Sequence, residues 1–80
     1  MSGKVIVYST PFCSPCERLK KYLNEKGVPF VSVDLMMDEE AADRLEERGI
    51  RASPVLEVEG KCYFGNELNP DNLAKLLEQA

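Results

Sequence analysis

The apolar residues of this chain recur at two different periods. Residues 5–8 are continuously apolar and rich in β-branched side chains, and the polar residues 9–11 follow them, which predicts a short buried strand. Between Cys16 and Leu23 the apolar residues instead fall on one stripe at helical spacing, with charged residues between them. Gly27 supplies the left-handed residue that commonly ends a helix. The first third of the chain therefore predicts a strand followed by an amphipathic helix.

The middle of the chain repeats this order. An apolar strand is predicted over residues 30–34. A second helix is predicted from Asp38, as N-terminal cap, through Arg48, and Gly49 ends it. Acidic residues in its first turn favour this placement, because they interact well with the positive end of the helix dipole.

The last third predicts a hairpin and a final helix. A strand over residues 55–59 precedes a tight turn at Gly60 and Lys61, and residues 62–64 form its partner. Asn69 followed by Pro70 is a good helix start, because Asn caps the helix and Pro needs no N–H at its first position.

The predicted order is βαβαββα, an α/β fold within one domain over residues 1–80. Strands separated by a helix pair in parallel through right-handed crossovers, whereas two strands joined by a tight turn pair antiparallel. We therefore expect a four-stranded mixed sheet flanked by three helices, with helices on both faces.

Charge and composition exclude several classes of function. The chain has 80 residues, a net charge of −4, three cysteines and no histidine. It lacks a basic stripe interleaved with aromatic residues, so we expect no nucleic-acid partner. The apolar segment at its start is too short for a signal peptide or a membrane span, so we expect a cytoplasmic protein without a membrane partner. We also expect a monomer.

Two cysteines stand where the first strand gives way to the first helix. Cys13 and Cys16 are separated by Ser14 and Pro15, and residues at this spacing in a helical turn lie about 5 to 6 Å apart, which a disulfide tolerates. Cys13 faces the free N–H groups and the positive end of the helix, which stabilise a thiolate, while Cys16 lies on the buried stripe. This asymmetry predicts that Cys13 attacks a substrate disulfide and that Cys16 then resolves the mixed disulfide.

Metal binding is the alternative use of the same cysteines. Structural zinc usually takes four ligands, and beyond this pair the chain offers one distant cysteine, Cys62, and no histidine. An iron–sulfur cluster shared between two chains stays open, because each chain then supplies part of the ligand set. A cluster or metal carrier is therefore kept as a second hypothesis.

The stretch from Lys4 to Cys16, followed by an amphipathic helix and some forty residues later by Ala52-Ser53-Pro54-Val55, resembles the glutaredoxin family of the thioredoxin superfamily over nearly the whole chain. The resemblance implies a thioredoxin fold and a thiol-disulfide oxidoreductase without a tightly bound cofactor. It also implies that Pro54 is a cis-proline facing the cysteines, and that Pro15, between the cysteines, contacts the substrate as well. The Ser53 backbone then lies where an extended substrate pairs with it.

Two departures indicate the branch of the family. Glutathione-using members usually carry a lysine where this chain has Thr10, and two glycines where it has Gly65 alone. The chain is similar instead to the NrdH-redoxin branch, which implies electrons from thioredoxin reductase and NADPH and a disulfide-containing protein such as ribonucleotide reductase as target. Arg51 is expected to attract an anionic substrate, so glutathione stays as the alternative reductant.

Two further residues have open interpretations. Phe12, next to Cys13, is either a platform for substrate or a cover for the helix end. Cys62 is either a secondary redox thiol or a small hydrophobic residue of a strand.

Overall fold

The computed structural model describes residues 5–78, so the two ends of the predicted domain lie outside it. The elements follow the predicted order, with one addition, a short 3₁₀ turn at Gly65–Leu68. The strands are β1 (Val5–Ser9), β2 (Val31–Asp34), β3 (Val55–Val58) and β4 (Lys61–Phe64), and the helices are α1 (Ser14–Glu25), α2 (Glu39–Glu47) and α3 (Pro70–Glu78).

The sheet has the strand order β2-β1-β3-β4. β1 pairs in parallel with β2, and antiparallel pairing joins β1 to β3 and β3 to β4, as predicted. In the β1–β3 register Tyr8 lies opposite Val55. The end of β1 therefore lies beside the segment that enters β3, so residues about forty-five positions apart meet at one edge of the sheet.

The helices divide between the two faces of the sheet, which confirms the predicted layers. One face packs against α1 and α3, around the buried side chains Val7, Leu19, Leu23, Leu56 and Leu73. The other face packs against α2, around Tyr8, Ala41, Leu45 and Val55. Alternate residues of β1 and β3 serve the two cores, since successive side chains of a strand point to opposite faces.

The predicted helix caps are confirmed. Asp38 caps α2 by accepting the N–H of Ala41 at 3.1 Å, and Asn69 caps α3 by accepting the N–H of Asn72 at 2.8 Å. The side chain of Asn72 in turn donates to the carbonyl of Glu67 at 2.8 Å. This bond connects the 3₁₀ turn to the first turn of α3.

The hairpin turn was predicted one residue too late. Lys61 is the first residue of β4 and pairs with Val58, so the two turn residues are Glu59 and Gly60. Both have positive φ, 52° and 85°, as a type I′ turn requires, because that turn matches the twist of the flanking strands. The glycine in the second position was visible in the sequence, but the glutamate in the first is an unusual choice there.

Within residues 5–78, no helix combines the length and the apolar character needed to cross a lipid bilayer.

Candidate active site

Cys13 is the N-terminal cap of α1. Its extended backbone, with φ −107° and ψ 103°, turns the side chain towards the first helical turn, and Sγ accepts the N–H of Cys16 at 3.2 Å. The two cysteines are joined as a disulfide, with Cα atoms 5.2 Å apart. The predicted spacing is therefore confirmed, and the helix end supplies a donor to the Cys13 sulfur.

The two sulfurs differ in exposure. Cys16 is fully buried, at 0% relative exposure, whereas Cys13 is half-buried at the surface. A sulfur in an incoming molecule therefore meets Cys13 first, and the sulfur of Cys13 is the one that Cys16 is placed to attack. Pro15 fits the first turn of α1 between them, where its missing N–H costs no hydrogen bond.

The Ser53–Pro54 bond is cis, as the family resemblance implied. The register of β1 and β3 brings Ser53 over the cysteine pair, and its hydroxyl lies 3.1 Å from Cys16 Sγ and 3.6 Å from Cys13 Sγ. The same hydroxyl lies 3.1 Å from Thr10 Oγ1. The sequence predicted a role for the Ser53 backbone, but it did not predict the contact of this side chain with both sulfurs.

A groove of about 540 Å³ runs from the cysteine motif between α1 and the start of α3. It brings together three of the predicted residues, Pro15, Ser53 and Pro54. Sequence reasoning assigned no substrate contact to its other lining residues, which include Arg18, Tyr22, Leu68 and Pro70. Leu19 and Tyr22 belong to the apolar stripe predicted for the first helix, and this stripe is the sequence signal for that wall of the groove.

Arg51 does not line this groove. Its guanidinium lies 3.6 Å from Glu46, and it borders a separate cavity of about 330 Å³ on the α2 side, next to Thr10 and Ser53. The cation of the 540 Å³ groove is Arg18. A contact between Arg51 and an anionic substrate therefore stays a prediction.

Phe12 has a left-handed backbone, with φ 58°, and its side chain is fully exposed. A ring that covered the helix end would be buried against it, so this interpretation is wrong. Phe12 instead borders a surface cavity with Cys13 and Thr10. Non-glycine residues in this conformation are uncommon and often occur at functional sites, which favours the platform interpretation.

Cys62 lies on the α2 face of the sheet, away from the disulfide, and is half-buried. Arg48 Nη1 donates to its sulfur at 3.0 Å, and the thiol donates to Glu57 Oε1 at 3.8 Å. Burial raises the pKa of the Cys62 thiol, Arg48 opposes this rise and Glu57 adds to it. Cys62 is therefore a hydrogen-bonded thiol that favours the protonated form.

Among residues 5–78, no three or more Cys, His, Asp or Glu side chains are grouped in the manner of a metal site.

The family model named Glutaredoxin matches residues 5–63. The chain belongs to the glutaredoxin family. Its resemblance to that family, drawn from the cysteine motif and the Ser53–Pro54 segment, is therefore confirmed.

Two curated relatives carry names that describe different activities or partners. The protein is 43% identical over 63 residues to the N-acetyl-S-hydroxy-L-cysteine reductase of Bacillus subtilis, covering 76% of this chain and 68% of the relative. It is 33% identical over 72 residues to the glutaredoxin-like protein NrdH of Lactococcus lactis, covering 90% of this chain and 97% of the relative. Both alignments reach beyond the cysteine motif to most of the fold.

Solved structures agree with the assignment. This glutaredoxin-family protein matches the NrdH-redoxin of Escherichia coli, described as glutaredoxin-like with a thioredoxin-like activity profile, at a TM-score of 0.81 and 25% identity. The match covers 91% of this chain and 93% of the other. The fold is the thioredoxin fold, and the protein is a member of a thiol oxidoreductase family with a Cys13–Cys16 pair.

Proposed function

We propose that this protein reduces disulfide bonds in other proteins. The observation that carries the proposal is the unequal placement of the two sulfurs: Cys13 is accessible and accepts the N–H of Cys16, while Cys16 is fully buried behind it. A thiolate at a helix N-terminus is stabilised and attacks readily. The buried thiol is protected from external disulfides and acts on its neighbour.

The reaction proceeds in two exchanges. The Cys13 thiolate attacks one sulfur of the substrate disulfide, and the second substrate sulfur leaves as a thiolate that takes a proton from water. The Cys16 thiolate then attacks Cys13, forming the Cys13–Cys16 bond and releasing the first substrate sulfur with its electron pair. Two electrons have passed to the substrate, and the protein is left in the disulfide form.

The groove beside the cysteines supports an extended protein segment as substrate. Its walls are Pro15 on α1, Ser53 and Pro54 before β3, and Leu68 before α3. An extended segment suits a groove with a mainly apolar lining beside the cysteines. The exposed Phe12 offers contact area on the other side of Cys13.

The oxidised protein needs a reductant. The likeness to NrdH proteins supports thioredoxin reductase with NADPH as the source of electrons and ribonucleotide reductase as a target. We propose the cytoplasm as the place of this reaction. The 3₁₀ turn beside the groove agrees with this choice, because it carries Gly65 alone, and Pro70 behind it has no N–H to offer the carboxylate of glutathione.

The test couples insulin reduction to NADPH consumption in two parallel assays. One contains thioredoxin reductase, and the other contains glutathione with glutathione reductase. We expect turnover with thioredoxin reductase and little with glutathione, and the Cys13→Ser variant should be inactive in both. Turnover through glutathione alone would refute the proposed reductant and retain the dithiol chemistry.

The relative named for reduction of N-acetyl-S-hydroxy-L-cysteine favours a second candidate function. A sulfenic acid reacts with the Cys13 thiolate to give a mixed disulfide and hydroxide, which is protonated to water, and Cys16 then releases the thiol. Arg18 at the groove suits the carboxylate of such a substrate. Mass spectrometry of the Cys16→Ser variant, treated with the sulfenic acid freshly released from a sulfoxide precursor, should show an N-acetylcysteine adduct on Cys13. An unmodified Cys13 would remove this candidate.

The colour and metal content of the purified protein distinguish the iron–sulfur or metal carrier hypothesis from the proposed disulfide reduction. A cluster gives visible absorbance and stoichiometric iron and sulfide. A colourless, metal-free sample that reduces insulin would refute the carrier hypothesis.

A further inference from the structure

The Ser53 side chain lies between the buried Cys16 sulfur and the surface of the protein. It lies 3.1 Å from the sulfur of Cys16, which is fully buried, whereas Ser53 itself is exposed to solvent. Thr10 Oγ1 contacts the same hydroxyl at 3.1 Å. Ser53 is therefore an exposed residue whose hydroxyl contacts the buried sulfur.

The proposed reaction needs such a contact. Before Cys16 attacks the mixed disulfide, its thiol must lose a proton, and burial in apolar surroundings opposes the formation of a thiolate. The chain has no histidine. In the described part of the chain, the hydrogen bonds of the two sulfurs run to the Cys16 amide and the Ser53 hydroxyl, and none runs to a carboxylate.

Charged groups border the cavities around the site without a hydrogen bond to the Cys16 sulfur. Those bordering the three adjoining cavities are Glu17, Arg18, Lys20, Asp34, Glu46 and Arg51. All of them are exposed or half-buried, and Lys20 pairs with Glu17 at 3.4 Å and Arg51 with Glu46 at 3.6 Å. They shape the local potential, but none is hydrogen-bonded to either sulfur.

We propose that the Ser53 hydroxyl carries the proton of Cys16 to solvent and that Thr10 holds this hydroxyl in place. This inference rests on the dithiol mechanism of the proposed function. Ser53 is a catalytic residue in this scheme, because it touches the reacting sulfurs. Thr10 is a positioning residue, because it acts through Ser53.

The donors and acceptors of this contact are complementary. In the mixed disulfide, the Cys16 thiol and the Thr10 hydroxyl donate to the two lone pairs of Ser53 Oγ, and the Ser53 hydroxyl donates to water. When the proton of Cys16 moves to Ser53 Oγ, the original Ser53 proton passes to water. The serine stays neutral, and its new O–H points at the sulfur and stabilises the thiolate.

Resolution of the mixed disulfide then follows. The Cys16 thiolate attacks Cys13 Sγ, the Cys13–Cys16 bond forms, and the bond between Cys13 and the substrate sulfur breaks. The substrate sulfur leaves with the electron pair and is protonated by water. On re-reduction the path runs in reverse, and Cys16 regains a proton through Ser53.

The test uses an aromatic disulfide, dithiobis(nitrobenzoate), in stopped-flow absorbance. Attack by Cys13 releases one coloured thiolate, and resolution by Cys16 releases the second, so the two steps are seen as separate phases. All variants are made in a Cys62→Ala background, so that the third thiol does not contribute.

In Ser53→Ala we expect the first phase to change by less than about threefold and the second to slow about 100-fold near neutral pH, because a proton-transfer group is lost. The second phase should recover as the pH rises, since hydroxide then removes the proton. Ser53→Thr keeps the hydroxyl and should restore the rate. Thr10→Val should slow the second phase less, and Thr10→Ser should behave as the wild type.

Three results are decisive. If the second phase of Ser53→Ala matches the wild type at every pH, the inference is wrong. Equal slowing of both phases without recovery at high pH indicates a structural role and also overturns it. If the wild type itself releases no coloured thiolate, the dithiol mechanism of the proposed function fails instead.

Discussion

The Tyr8 hydroxyl donates a 3.0 Å hydrogen bond to Glu57 Oε1 between the two central strands of the sheet. The two residues are 49 positions apart in the chain, and the antiparallel register of β1 and β3 brings them together. Burial raises the pKa of Tyr8, and the hydrogen bond and negative charge of Glu57 raise it further. The phenol is thus favoured in its neutral form in the folded protein.

A raised pKa of this kind makes stability depend on pH. The folded state holds the Tyr8 proton more tightly than the unfolded state, so the stabilisation is complete below the unfolded pKa and is lost as the pH rises through the folded one. The free energy of unfolding should therefore fall above about pH 10. Urea unfolding between pH 8 and 11 should show a smaller fall in Tyr8→Phe than in the wild type, and equal slopes would contradict this.

The same carboxylate affects Cys62. Because the pKa of Cys62 is raised by burial and by Glu57, iodoacetamide should alkylate it slowly at neutral pH. Glu57→Gln should speed the alkylation, since the negative charge is gone, and Arg48→Leu should slow it, since the cation that favours the thiolate is gone. Peptide mass spectrometry against time measures both rates, and a slower reaction in Glu57→Gln would refute this account.

The roles of the two active-site cysteines predict different fates for their variants. In Cys16→Ser, Cys13 retains its position at the helix end but has no resolving partner, so a mixed disulfide with substrate should accumulate. In Cys13→Ser no adduct should form on the buried Cys16. Intact mass after incubation with a disulfide peptide distinguishes them, and full activity in Cys13→Ser would reverse the assignment.

The two arginines near the site, Arg18 and Arg51, provide a test variant and its control. Arg18 borders the groove beside Pro54, whereas Arg51 lies on the other side, near Glu46. With a disulfide peptide that carries acidic residues beside its cysteine, Arg18→Glu should raise KM about three- to tenfold, the scale of exposed charge interactions. Arg51→Glu should change KM less. A larger effect at Arg51 would instead support the contact predicted for it from the sequence.

The hairpin turn offers a test of backbone strain. Glu59 has a left-handed backbone at φ 52°, which Asn adopts more readily than Glu. Glu59→Asn should therefore raise the free energy of unfolding by about 0.5 to 1 kcal/mol, and Gly60→Ala, at φ 85°, should lower it by about 1 kcal/mol or more. Thermal and urea unfolding measure both changes. Destabilisation by Glu59→Asn would show that the glutamate side chain has another role.

Local sequence signals predicted most of the elements, because each depends on neighbouring residues. The caps Asp38 and Asn69 and the change of apolar period at Cys16 lie within one turn of the helices that they specify. The hairpin turn was misplaced by one residue because a glutamate in a left-handed turn position carries no sequence signal. The 3₁₀ turn before α3 was not predicted. It is held by hydrogen bonds from the side chains of Asn69 and Asn72, and these form only when α3 is in place.

The sequence by itself determined the cysteine motif, the order of the elements and the family. Spacing, apolar period and the proline before β3 are local properties that the chain carries into any environment. The tertiary structure decided which side chains meet. Ser53 reaches Cys16 and Thr10, and Tyr8 reaches Glu57, because sheet register joins segments about forty to fifty residues apart. The tertiary structure also decided which arginine borders the groove. Arg18 does, because α1 packs on the groove side of the cis-proline segment, whereas Arg51 lies on the α2 side.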